Sequence, residues 1–137
     1  MTKQELKDLE MVKQNGRALR LVKNQTEEMC LAAVKQYGYA LKYVNNQMET
    51  VCLEAVKEDG FALLYVKNQT EEMCVVAVNR YSLAFMYVKK QTEQVCLAAV
   101  KQIPNGRLMC YIIDDKIFFS ITNYKELSED VNNPFLF

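Results

Sequence analysis

Residues 38–59 read GYALKYVNNQMETVCLEAVKED, and the same pattern starts at residues 16, 60 and 82. Cys30, Cys52, Cys74 and Cys96 stand 22 residues apart. Ala18, Ala40, Ala62 and Ala84 keep that step, as do Val22, Val44, Val66 and Val88, then Gln25, Gln47, Gln69 and Gln91. A second alanine row (Ala33, Ala55, Ala77, Ala99) and a second valine row (Val12, Val34, Val56, Val78, Val100) run beside them. A fixed period of this size is the signature of stacked supersecondary units, each burying its apolar face only against its neighbours.

Each unit divides into two halves. In the first, Ala40, Val44 and Gln47 fall at i, i+4 and i+7 with Leu41 and Tyr43 beside them, which predicts a short helix at the 3.6-residue period. In the second, Thr26 is a natural N-cap, and Glu27 and Glu28 occupy the first turn, where the helix dipole favours anions. Cys30, Ala33, Val34 and Tyr37 then form an apolar stripe at i, i+3, i+4 and i+7. Lys35 suits the C-terminal turn. Gly38 is expected to be the left-handed residue that closes the helix, with Gly16 and Gly60 in the same place and Ser82 replacing them once. The spacing therefore predicts first helices near 17–24, 39–46, 61–68 and 83–90, and second helices near 27–36, 49–58, 71–80 and 93–102. Helices this short are not stable alone, so stacking must hold them. A leucine-rich repeat has a compatible period, but its strand segment alternates L-x-L, and these segments have helical spacing with no asparagine at the required offset.

The fold class expected is all-α: an α-solenoid of 22-residue two-helix repeats. Residues 1–15 form an N-terminal capping helix, in which Thr2 and Glu5 make a capping box and Asp8 replaces the repeat cysteine. Residues 16–102 are the four repeats. Residues 103–137 are a divergent C-terminal cap. There, Leu108–Ile113 and Lys116–Ile121 are rich in β-formers and flank Asp114-Asp115, which suits a hairpin. Tyr111 and Ile112 also echo the tyrosine and valine rows of a degenerate first helix, so both readings stay open. Residues 122–131 suit one closing helix. A 44-residue echo overlies the shorter period: residues 23–30 and 67–74 are identical, and Tyr37 pairs with Tyr81.

The repeated Ala-Leu-x-Tyr-Val-x-Asn-Gln-Thr-x-x-x-Cys-Leu-x-Ala-Val-Lys-x-x-Gly, over roughly residues 9–102, resembles a repeat family of unknown function. That family is abundant in amoeba-infecting giant viruses and occurs also in protists and bacteria. The resemblance implies a helical repeat in an amoebal or viral setting. It implies no enzyme activity and no catalytic residues.

Composition limits the chemistry. The 137 residues carry 17 basic and 17 acidic side chains and no histidine, so the commonest general base is missing and no global field draws in nucleic acid. No G-x-S-x-G, phosphate-loop or zinc spacing is present. The chain has no signal-peptide apolar region at its start and no spanning run of roughly 20 apolar residues, so an intracellular setting, cytoplasmic or virion, is expected. No cofactor, metal or membrane partner is implied. The cysteines read as small buried apolar residues. The glutamine row reads as an internal ladder bonding neighbouring backbone. Glu27, Glu28, Glu49, Glu71, Glu72 and Glu93 read as dipole-favoured first-turn residues. Tyr43, Tyr65, Tyr87 and Tyr111 read as the edge of the core.

The positions that vary while the core stays constant are the informative ones. Arg17, Tyr39, Phe61 and Leu83 share one register, and Arg20, Lys42, Leu64 and Met86 share another. Both rows turn from basic to apolar along the array, as a partner-binding surface would. The function expected is a non-catalytic protein–protein interaction module using these eight residues. Self-association of a structural, virion-type component through the C-terminal segment is the alternative, and nucleic-acid binding ranks below both.

Overall fold

The computed structural model describes residues 1–101, 106–113 and 116–123. Helix α1 spans Lys3–Gln14. Four 3-10 helices follow, Gly16–Leu21, Gly38–Tyr43, Gly60–Tyr65 and Ser82–Tyr87, alternating with α2 (Glu27–Gln36), α3 (Glu49–Glu58), α4 (Glu71–Arg80) and α5 (Glu93–Lys101). Each α-helix packs on the next, each 3-10 helix on the next, and the two layers enclose one continuous core. The α-solenoid expected from the repeat is the fold observed.

The second helix of each unit lies where the stripe placed it. Thr26 and Thr70 cap α2 and α4, their hydroxyls accepting from Met29 N at 3.3 Å and Met73 N at 3.2 Å. Met48 holds the same place before α3 and makes no side-chain cap bond. The α1 capping box is complete: Glu5 N donates to Thr2 Oγ1 and Thr2 N to Glu5 Oε2.

The first halves are 3-10 helices of six residues, shorter than the spans expected at the 3.6-residue period. The cause is visible in the side chains. Gly16, Leu19 and Val22 are buried at i, i+3, i+6 spacing, as are Gly38, Leu41 and Val44, then Gly60, Leu63 and Val66, with Ala40 and Ala62 buried beside them. Three residues per turn is the 3-10 repeat, and short pieces are where that geometry is tolerated. Each piece ends where the valine turns extended, its N–H still donating to the carbonyl three residues back (Val44 to Leu41 O, 3.1 Å).

The glycines are not left-handed helix closers: Asn15, Tyr37 and Asp59 end α1, α2 and α3 in extended conformation. Glycine is required by proximity instead. A Cβ on Gly16, Gly38 or Gly60 would lie 2.7, 2.8 or 2.6 Å from the carbonyl oxygen of Ala33, Ala55 or Ala77 in the α-helix that follows it. Those alanines are fully buried. Backbone therefore meets backbone at every such interface, and neither partner has room for a larger residue.

The C-terminal segment contains a hairpin, as one of the two sequence readings had it. Strand β1 (Gly106–Ile113) pairs antiparallel with β2 (Lys116–Asn123), Gly106 opposite Asn123 and Ile113 opposite Lys116. The helical echo around Tyr111 is thus overridden: Leu108–Ile113 is a run of β-favouring apolar residues. Of the closing helix expected at 122–131, residues 122 and 123 belong to β2 and the rest lie outside the described residues.

Gly38→Ala should destabilise the protein by about 1–3 kcal/mol, because overpacking against a backbone carbonyl outweighs the roughly 0.4–1 kcal/mol gained from a stiffer unfolded chain. Ala55→Leu should lower stability by a similar amount, about 1–3 kcal/mol, at the same interface. Urea denaturation midpoints check both; an unchanged midpoint in either variant would show that the units do not approach this closely.

Candidate partner-binding face

The 3-10 layer carries the eight variable residues. Arg17, Arg20, Lys42, Leu64, Leu83 and Met86 are exposed, and Tyr39 and Phe61 are half-buried. At the N-terminal end, Arg17, Arg20 and Lys42 line one open cleft with Asn15, Leu21, Tyr37 and Tyr43. The Arg17 guanidinium lies 4.7 Å from the centre of the Tyr37 ring and the Lys42 ammonium 4.9 Å from that of Tyr43. Cation–π contact of this kind orients a long side chain without neutralising it. At the other end, Leu64, Leu83 and Met86 are 52%, 64% and 72% exposed, high values for apolar side chains lying in two adjacent registers.

Tyr39 and Phe61 do more than face solvent. The Tyr39 ring meets Tyr37 at 5.7 Å and Tyr65 edge-on at 5.6 Å. Phe61 stacks on Tyr81 at 5.1 Å and meets Tyr87 edge-on at 6.1 Å. These rings tie consecutive 3-10 helices together, so the aromatic members of the ridge are also structural. Partial burial raises the Tyr39 phenol above its ordinary range, followed by the charge of Asp59 and the neighbouring tyrosines, and it stays neutral at physiological pH.

Sequence reading missed Tyr37 and Tyr81 as members of this face, having placed Tyr37 on the α2 stripe. The usable signal was the 44-residue echo. In the first and third units the residue before glycine is Asn15 or Asp59, whose side chain accepts from Arg17 N at 3.1 Å or Phe61 N at 2.9 Å. In the second and fourth it is Tyr37 or Tyr81, whose ring receives Arg17 or Phe61 from 20 residues earlier.

The glutamine row forms the internal ladder expected. Gln25 Nε2 donates to Tyr43 O in the next unit at 2.8 Å and to Leu19 O in its own at 3.2 Å. Its Oε1 accepts from Asn45 N at 2.9 Å. Gln47 repeats this with Tyr65 O and Lys67 N, and Gln69 with Tyr87 O and Lys89 N. The repeat cysteine completes each rung: the thiols of Cys30, Cys52 and Cys74 donate to the glutamine oxygens at 3.8, 3.7 and 3.5 Å. At the first interface Gln36 adds a different bridge, donating to Val12 O and Lys13 O and accepting from Gly16 N.

The four repeat cysteines are buried and form no disulfide among the described residues. Burial pushes the thiols of Cys30, Cys52 and Cys74 up, and Glu27, Glu49 and Glu71 add to the shift. Thiolate is the reactive form, so these groups are poor nucleophiles at neutral pH. The first-turn glutamates lie at α-helix N-termini, where Thr50 donates to Glu27 at 2.8 Å and Lys13 meets Glu28 at 3.3 Å. Both Lys13 and Glu28 are half in water, so the pair adds little to stability. Among the described residues, no three His, Cys, Asp or Glu side chains are grouped to hold a metal ion. Also among them, no helix is long and apolar enough to cross a membrane.

A family model overlaps the array twice, at residues 9–49 and 26–69. The chain is similar there to DUF4116, a domain of unknown function. Together the two stretches run from α1 through the first two units and into the third, ending just before α4. They mark a short repeat-like domain without an assigned activity, which agrees with stacked units that repeat over the same residues. Comparison with curated proteins and with solved structures gave no match.

Gln47→Ala should destabilise the array by about 1–2 kcal/mol, since it strands Tyr65 O and Lys67 N at a partly buried interface. Chemical denaturation checks this. In native protein at pH 8, Cys30, Cys52 and Cys74 should react with a chromogenic disulfide far more slowly than after unfolding in denaturant. Their raised pKa values mean the native rate climbs only at more alkaline pH than for an ordinary thiol. Fast native reaction at all three, followed by mass mapping, would contradict the buried ladder.

Proposed function

We propose that the chain is a non-catalytic helical-repeat module that binds a protein or peptide along its 3-10 layer. One observation carries the reading. In two adjacent registers the side chains change from unit to unit and six of the eight are exposed, whereas the glycine, alanine, valine, glutamine and cysteine rows that build the stack hardly vary. A surface freed from core duty in this manner is available to select a partner. The amoebal or giant-virus setting, and an intracellular location, belong to this proposal and rest on the resemblance of the repeated motif.

Self-association is the second reading, and the hairpin favours it. Among the described residues β1 and β2 form a two-stranded sheet in which each strand has one neighbour, and a free strand edge can accept another strand. A dimeric mass in solution that reverts to monomer when β2 is interrupted by proline would support that role.

The binding reading is tested by affinity capture from the native cell with wild-type chain and with Arg17→Ala/Arg20→Ala/Leu83→Ser/Met86→Ser. All four side chains are exposed, so the variant should keep its far-UV spectrum and denaturation midpoint. Specific partners should be lost from the variant. Full retention would mean that the face is not the binding surface.

A further inference from the structure

The binding reading leaves open what chemistry the occupant has, and the distribution of charge on the face narrows it. The 3-10 helices read GRALRL, GYALKY, GFALLY and SLAFMY and contain no acidic residue. Their cations are Arg17, Arg20 and Lys42, all from the first two units and all on one cleft. Among the described residues no carboxylate lines that cleft. Among the described residues the ion pairs are Lys13–Glu28 and Lys57–Glu54, neither of which involves these three cations. The acid nearest in sequence to the later part of the face, Asp59, already accepts from Phe61 N. Among the described residues, three like charges therefore stand together with no ion-pair partner, in a chain whose net charge is zero. Two of them are held over tyrosine rings, which fixes where they point. Guanidinium groups so placed match carboxylates bidentately. The third and fourth 3-10 helices offer no charge at all and expose Leu64, Leu83 and Met86.

We propose, resting on the binding reading above, that the occupant is an extended peptide segment with an acidic cluster over the Arg17–Arg20–Lys42 cleft and aliphatic side chains over Leu64, Leu83 and Met86. The length follows from the stack. Packed helices lie about 8–10 Å apart, so three steps span about 24–30 Å. An extended chain covers that distance in about 7–9 residues at roughly 3.3 Å each. Charge complementarity favours the acidic end and sets register. Apolar contact at the other end supplies affinity that does not depend on salt.

The test uses the full chain and labelled synthetic peptides of about a dozen residues, read by fluorescence anisotropy at low and moderate salt. The probes are a peptide with Asp and Glu in one half and Leu in the other, the same peptide with Lys in place of the acids, an alternating scramble, and a single-stranded oligonucleotide. The acid–leucine block peptide should bind best and weaken as salt rises. Arg17→Glu/Arg20→Glu/Lys42→Glu should weaken it at least about tenfold, a difference of about 1.4 kcal/mol. Leu83→Ser/Met86→Ser should weaken it without changing the salt slope. Arg17→Ala/Lys42→Ala provides a milder variant should the reversed charges disturb the fold. The proposal is overturned if the acidic peptide does not bind at millimolar protein, if the lysine or scrambled peptide binds as well, or if charge reversal leaves binding intact. Tighter binding of the oligonucleotide overturns it in favour of nucleic acid. Ridge-dependent cellular capture combined with any of these failures removes only the acidic chemistry; loss of that dependence removes the binding reading itself.

Discussion

The backbone of Gly16, Gly38 and Gly60 lies directly on the carbonyl of an alanine in the next α-helix, with no space for a single added carbon. That approach sets the separation of successive α-helices, since each glycine follows the end of one α-helix and lies on the next, and the cross-unit contacts are built to it. A glutamine side chain is long enough to reach the neighbouring loop only because the units are this close, and it then spends both ends of its amide there. Stability resides in interfaces, each unit contributing one half of the interface before it and one half of the interface after it.

Fixing the separation in this way also determines what is free to vary. Inward positions of the 3-10 helices are confined to glycine, alanine, leucine and valine, with serine and phenylalanine only in the fourth unit. Outward positions meet no such demand, and there the chain carries arginine, lysine, tyrosine, phenylalanine, leucine and methionine. The aromatic members are a middle case, since Tyr39 and Phe61 both face outwards and brace neighbouring helices. A face with braced rings between a cationic end and an aliphatic end is stiff and chemically graded.

Most of this architecture was legible from the repeat alone. The α-helices were placed almost to the residue because Thr26, the glutamate pair and the Cys30–Ala33–Val34 stripe are all local signals. The 3-10 helices were seen but given the wrong geometry. Ala40 and Val44 are both buried and satisfy a 3.6-residue template, while Gly38, Leu41 and Val44, also buried, satisfy a period of three, and a six-residue window holds too few turns to separate the two. The glycines were misassigned because glycine after a helix ordinarily signals a left-handed turn. Nothing local reveals that a carbonyl 17 residues further along is pressed against it. The ring contacts of Tyr37 and Tyr81 were missed for a related reason: they join residues 20 apart in sequence, and only the alternation of Asn15, Tyr37, Asp59 and Tyr81 hints at them.

That alternation has an implication for how arrays of this kind can grow or shrink. Deleting one 22-residue unit would keep every glycine on an alanine and every glutamine on a loop, so the stack would still close. It would also leave the ring contacts whole, because Arg17 with Tyr37 and Phe61 with Tyr81 each lie within one unit, and removing residues 38–59 would set two tyrosine-ended units side by side with both rings still occupied. Length could therefore change one unit at a time without unseating a ring; what a single step would alter is the distance between the cationic and the aliphatic ends of the face.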